Sequence, residues 1–170
     1  MRFTPMGWDD LRWMERWLAA PHVACWWNED ADLASVRARY GPRIDGTEPT
    51  RLYLIHLDGP IGFVQVYAWS DHPEHADRLG AQPTEMGLDL AIGEVEHVGR
   101  GVGPRVLRRV LDELVWVRPG VTGCVTDPDV RNVRSVRAFE KAGFVWEATR
   151  RMPGPTGDYD VAVVRRHRPG

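Results

Sequence analysis

The stretch "HVGRGVGPRVLRRVLDEL", residues 97–114, restricts the fold more than any other part of the chain. Gly99, Gly101 and Gly103 alternate, and a helical apolar stripe starts at once: Val102, Val106, Val110 and Leu114, with Leu107 and Leu111 beside them. A strand-like "EMGLDLAI" precedes it. A glycine turn between strand and helix bares main-chain amides at a helix start, where phosphate is favoured. A nucleoside-triphosphate loop needs Gly-Lys-Ser/Thr there, but Gly103 is followed by Pro104 and Arg105. A dinucleotide fold wants GxGxxG after its first strand, whereas these glycines follow the fourth strand-like segment. Two readings remain: a seat for a pyrophosphate, with Arg100 and Arg105 adding charge, or a plain glycine turn. Pro104 suits both, since its missing N–H costs little in a first turn.

The rest of the chain alternates periods. After a short extended start, Trp8, Leu11, Met14, Trp17 and Leu18 share one helical face, with Pro21 just past its end. Leu33, Val36 and Tyr40 mark a second helix, which Gly41-Pro42 is expected to close. "RLYLIHL" and "IGFVQVYAW" read as a β-hairpin whose Asp58-Gly59 supplies positive φ values. Ser70–Thr84, polar and without a period, reads as a loop. Its acidic residues, Asp71, Glu74 and Asp77, together with the adjoining Glu85, suit a mobile flap over a cationic ligand. "GCVT" is a short buried strand, and Asn132 to Ala142 a helix stopped by Gly143. "FVWEATRR" and "YDVAVVRR" are paired strands around "PGPTGD", and the last four residues read as a frayed end. The expected fold is α/β (α+β), a mixed, mostly antiparallel central sheet of about six to seven strands flanked by about four helices.

The 170 residues carry 22 Lys+Arg against 24 Asp+Glu, and a pI near 6.3 offers no footprint for nucleic acid. One domain over residues 1–170 is expected from length. The two cysteines, Cys25 and Cys124, form no metal pattern and read as reduced. His72 and His75 flank Glu74 without a third ligand, so no metal is expected. No signal peptide and no run of about 18 apolar residues is visible, which reads as a cytoplasmic, soluble protein without a membrane partner.

A second block, Asn132-x-x-Ser135-x-x-x-Phe139-x-Lys141-x-Gly143-Phe144, follows the strand–VGRGVG–helix unit. Together they resemble the acyl-CoA-binding core of the GNAT acetyltransferase superfamily. The resemblance implies a single GNAT domain and acetyl-CoA as cosubstrate. It places the pyrophosphate on the amides from Gly99 through Arg100, Gly101 and Val102 to Gly103, with Pro104 next to them in the cofactor-binding turn. Asn132 would meet the pantetheine arm, with Ser135, Phe139 and Lys141 on the same helix. Two positions depart from the pattern. Val98 stands where glutamine or arginine is usual, and Phe139 where a tyrosine commonly protonates the leaving thiolate.

Further segments extend the likeness over almost the whole chain. "CWWNED", Tyr40 before Gly-Pro, "IGFVQVY", "GLDLAIG" and "TDP" run in the order found in aminoglycoside 6'-N-acetyltransferases. The resemblance implies transfer of acetyl to the 6'-amine of an aminoglycoside, a small polycationic partner, with Asp89 in the fourth strand as catalytic base. On physical grounds a carboxylate in the middle of "MGLDLAI" is costly to bury without a partner. With a period of two it faces the side of Gly87 and Ala91, whose small size leaves room for a ligand, unless it is simply an exposed residue of a half-polar strand. Amides of Leu90, Ala91 and Ile92 are candidates to polarise the thioester. Asp127, Gln65, Tyr67, Trp26, Trp27 and Tyr40 are candidate acceptor contacts, with only one of the two tryptophans expected to touch it. Direct ternary-complex transfer without an acyl-enzyme is expected, in a monomer or homodimer.

Three alternatives share some of these features. A siderophore-type hydroxylysine acyltransferase has the same order but tends to carry histidine where this chain has Asp89. Acetylation of a protein N-terminus or another small amine uses the same fold. A non-catalytic acetyl-CoA or drug sensor would need no base.

Overall fold

The computed structural model describes residues 1–155 and 157–170. Seven strands form one sheet in the order β1-β2-β3-β4-β5-β7-β6. They are β1 (Arg2–Pro5), β2 (Arg51–His56), β3 (Pro60–Ala68), β4 (Glu85–Ile92), β5 (Gly123–Thr126), β6 (Val145–Met152) and β7 (Tyr159–His167). The β1–β2, β2–β3, β5–β7 and β6–β7 pairs are antiparallel, and β4 runs parallel to β5. The helices are α1 (Leu11–Leu18), α2 (Pro21–Trp27), α3 (Leu33–Ile44), α4 (Pro73–Leu79), α5 (Val102–Val110) and α6 (Val133–Lys141). Main-chain contacts divide the chain into two compact units: residues 1–66 with 89–100, and residues 67–88 with 101–170.

In the first unit α1 buries Leu11, Met14, Trp17 and Leu18, the stripe its spacing predicts. Trp17, Trp27 and Tyr40 gather around Phe63 of β3, with ring centroids 6.4, 4.8 and 6.4 Å away. Trp8 is not part of this core. It begins a 3-10 turn ahead of α1, and its indole donates to Asp45 Oδ1 at 2.8 Å. Pro21 stands just past the end of α1, as expected, and also opens α2, since proline is well placed at a first helical position. Gly41-Pro42, by contrast, does not end α3, which runs on to Ile44. The Pro42 carbonyl accepts from the amides of Thr47 and Glu48, which folds the chain back over the end of the helix. The β2–β3 hairpin forms, but Gly59 does not take a positive φ. A bulge at Ile55/His56 and a Leu57 N–H bond to Gly59 O make the turn instead.

In the second unit Ser70–Thr84 is not an open loop. A 3-10 turn, Trp69–Asp71, leads into α4, which buries Ala76 and Leu79 and ends at left-handed Gly80. Two apolar side chains three residues apart and a proline start suffice here, although the surrounding polarity hides the period. α5 passes into a π turn over Leu111–Val115, which keeps Leu111 and Val115 buried. α6 ends at Gly143, whose φ of 92° allows the left-handed cap. Thr156, within "PGPTGD", lies outside the described residues; β6 and β7 pair on either side of that turn. The chain end is tied down at Arg168, whose amide donates to Thr122 O.

Candidate functional site

Asp89 is half-buried on β4 and is held by β3. Gln65 Nε2 donates to Asp89 Oδ2 at 2.6 Å, and Gln65 Oε1 accepts from Arg43 Nη1 at 2.7 Å. Each bond has one charged partner, worth about 1.5–3 kcal/mol. Turning the amide over would set oxygen against carboxylate and NH2 against guanidinium, so its orientation is fixed by its neighbours. Arg43 is anchored in turn: its guanidinium carbon lies 4.9 Å from the Tyr40 ring centroid, and its Nε is 3.1 Å from Glu48 Oε2. Arg43 reaches this place because α3 continues past Pro42.

The aromatic candidates separate. Trp26 is 41% exposed, while Trp27 packs on Phe63. Tyr40 is fully buried, so its face belongs to the core. Its hydroxyl donates to Glu29 Oε2 at 2.6 Å, and Arg39 pairs with the same carboxylate at 3.0 Å. Burial, reinforced by the Glu29 charge, holds the Tyr40 phenol far above its ordinary pKa. Tyr40 therefore stays protonated and positions Glu29.

Beyond Asp89, β4 leads out along the first unit. The Ile92 carbonyl accepts from His22 Nε2 at 3.0 Å, and the amides of Gly93 and Glu94 donate to Ile61 O. Glu94 accepts from Trp17 Nε1 and Arg16 Nη2, both at 2.8 Å. An open pocket of about 440 Å³ lies here, lined by Trp17, His22, Gly93 and Glu94 among others. Asp89 does not line it. The unit ends at Gly99 and Arg100, both exposed.

The second unit takes up the glycine turn. Gly99 and Gly101 both adopt left-handed conformations, at φ 77° and 75°, and a Cβ at either would meet only open space. They are glycine for their backbone shape. Alternating left-handed residues turn successive N–H groups toward one concavity. Gly101 caps α5 without a side-chain bond, which leaves the first-turn amides to another acceptor. Val102 buries its side chain and offers only its amide; Gly103 faces Ala138 of α6, where an added Cβ would make ordinary contact at 3.5 Å. On α6, Asn132 Oδ1 accepts from the Ser135 amide at 3.1 Å. Asn132 is thus the helix N-cap, and the cap does not use its NH2 group. Phe139 packs edge-on against Phe144 at 5.1 Å, and Lys141 is exposed.

The β4–β5 ladder is short: Glu85 pairs with Gly123 and Met86 with Cys124. At Leu88 the carbonyl instead accepts from the Thr126 hydroxyl at 2.9 Å. The room expected at Gly87 is taken, because a methyl there would overlap the Tyr67 ring. Tyr67 also meets Trp69 and His72 edge-on, at 5.2 and 5.1 Å. Asp127 accepts from His75 Nε2 at 2.8 Å, so α4 brings a histidine to it. Among the described residues no cluster could hold a metal ion, and no helix is long and apolar enough to cross a membrane.

Sequence reasoning missed Arg43, Glu29, Thr126 and the His75–Asp127 pair. Arg43 had a signal, since it stands three residues after Tyr40 on one helix face. The others depend on contacts distant in the chain.

Comparison with known proteins places the chain in a family. The model of a GNAT acetyltransferase domain matches residues 8–152. An aminoglycoside N(6')-acetyltransferase type 1 from Klebsiella pneumoniae is 33% identical over 156 residues, spanning 89% of this chain and 77% of that protein. A lysine N-acyltransferase from Mycolicibacterium paratuberculosis is 28% identical over 143 residues, 84% of this chain and 63% of its own length. The crystal structure of aminoglycoside acetyltransferase AAC(6')-Ib with coenzyme A and kanamycin superposes with a TM-score of 0.79 at 30% identity, covering 98% of this chain and 94% of that one. The matched span takes in the glycine turn, α5 and α6, and the chain belongs to the GNAT acetyltransferase family.

Proposed function

We propose that the chain, as one acetyltransferase domain over residues 1–170, transfers the acetyl group of acetyl-CoA to the 6'-amine of aminoglycosides. The observation that carries this reading is the carboxylate of Asp89 on β4, held by Gln65. Relatives named as aminoglycoside 6'-acetyltransferases support the substrate class. β4 carries no histidine, the residue whose presence would favour the hydroxylysine alternative.

The residues present fit acetyl-CoA. Left-handed Gly99 and Gly101 and the uncapped start of α5 suit a pyrophosphate. Amides of Arg100, Val102 and Gly103 would hold it, Asn132 would donate its NH2 to the pantetheine arm, and Ser135 and Lys141 would flank it. Acetyl-CoA supplies an activated thioester; amides among Leu90, Ala91 and Ile92 would donate to its carbonyl oxygen.

Asp89 has the proton-handling role. An amine with a lysine-like pKa of ~10.4 is about 3.4 pH units from neutral at pH 7, a cost of roughly 4.6 kcal/mol. Sugar amines are less basic, so their burden is smaller. Asp89 binds the ammonium and accepts its proton as the nitrogen attacks. Asp127, Glu29 and the exposed Trp26 face would receive the remaining cationic groups and rings. Phe139 has no hydroxyl, so the departing thiolate takes its proton from water or from another group. Transfer is direct, without an acyl-enzyme.

The test is thiol release from acetyl-CoA with kanamycin or tobramycin, against hydroxylysine and peptide amines. Release with the aminoglycosides alone is expected. Asp89→Asn should lower turnover by a factor on the order of 10²–10⁴. Full activity in that variant, or a burst of covalently acetylated protein, refutes the mechanism.

A further inference from the structure

We propose that Arg43 is a positioning residue for Asp89, acting through Gln65; the inference rests on the role of Asp89 in the proposed reaction. Nothing about Gln65 alone decides which end of its amide meets the carboxylate. Arg43 decides it. By donating to Oε1 at 2.7 Å, the guanidinium fixes the oxygen on its own side and turns Nε2 to Asp89 Oδ2 at 2.6 Å. Gln65 is 9% exposed, so water is a poor substitute for either partner.

The result is a directed relay, Glu48–Arg43–Gln65–Asp89, which runs from the turn after α3 through α3 and β3 to β4. It has two consequences for a general base. One carboxylate oxygen is committed to Gln65, which sets the plane and rotamer in which Asp89 meets an ammonium. The positive charge of Arg43 also polarises the Gln65 amide, which strengthens its hydrogen bond to the Asp89 carboxylate. The Tyr40 ring under the guanidinium and the Glu48 partner keep Arg43 in place. Gln65 is then an orienting group for the base rather than an acceptor contact.

Arg43→Met keeps the stem packed on Tyr40 while removing the donor. Arg43→Met, Gln65→Met and the double variant are compared with wild type for kcat and KM, with melting temperature and CoA affinity as folding controls. Each single variant should lower kcat by about 10- to 100-fold, the scale of losing an orienting partner. KM for acetyl-CoA should stay within twofold. The double variant should be no slower than Gln65→Met, because Arg43 acts only through the amide. Arg43→Lys, which retains a donor, should recover most of kcat. Multiplying effects in the double variant would overturn the proposal.

A second readout needs no turnover. The Gln65 side-chain amide signal in a ¹H–¹⁵N spectrum, assigned by its loss in Gln65→Met, should move on Arg43→Met and on Asp89→Asn. An unmoved signal in Arg43→Met overturns the relay even if acetylation is confirmed. A moved signal upholds the relay's geometry even if wild type ignores aminoglycosides, in which case only the substrate reading fails.

Discussion

Gly101→Ala isolates the glycine turn from everything else in the fold. Gly101 stands at φ 75°, and an added methyl meets nothing within 4 Å. The cost is therefore backbone strain, about 1–2 kcal/mol for a side chain held left-handed. Loss of unfolded-chain entropy returns about 0.4–1 kcal/mol, leaving a net destabilisation of about 1 kcal/mol. For a chain of this length that lowers the melting temperature by roughly 2–4 °C. Gly120→Ala is the matched control, at φ 76° with the same empty surroundings but in the turn before β5. Both variants should melt earlier by similar amounts. Only Gly101→Ala should also weaken CoA, because a residue relaxing toward a right-handed conformation turns its amides out of the concavity. On the order of tenfold in Kd by calorimetry is expected, equivalent to about 1.4 kcal/mol. If Gly101→Ala melts like Gly120→Ala and binds CoA as wild type does, these amides do not seat the pyrophosphate.

Other consequences are simpler to measure. Phe63→Ala removes the ring on which Trp17, Trp27 and Tyr40 converge, and should cost about 3–5 kcal/mol in urea unfolding. Gly87→Ala forces a methyl into the Tyr67 ring and should destabilise by about 1–3 kcal/mol, partly relieved by Tyr67→Leu. His56, bonded to Thr4 at 2.8 Å, has its pKa lowered first by burial and then by Arg2. A folded pKa below the unfolded 6.5 means its contribution is present above that pH and is lost as pH falls through the folded value. The urea midpoint should therefore drop from pH 7.5 to 5.5 by less in His56→Gln than in wild type.

Local signals in the sequence were read well, and distant ones were not. The glycine turn, α5, α6 with its Asn132 cap and the Gly143 stop are each encoded within about ten residues, so spacing alone reveals them. Asp89 is visible because a charge inside an apolar strand is anomalous wherever the strand lies. Pro42 misleads, because proline can be tolerated near the end of a helix, whereas Pro21 marks both the end of α1 and the start of α2. α4 escaped because seven residues with two buried side chains carry too little periodicity. The room expected at Gly87 is filled by the Tyr67 ring, and that depends on the packing of residues 20 positions apart. The Arg43–Gln65–Asp89 relay needs α3, β3 and β4 in register together, which no single window contains.

The most direct test of the account is where the acetyl group ends up. Wild-type protein is incubated with acetyl-CoA and kanamycin, and the purified product is read by NMR. Acetyl on the 6' nitrogen, absent when Asp89→Asn is used for the same time, is the predicted result. Acetyl on another amine, or release of thiol with the antibiotic unchanged, would contradict it.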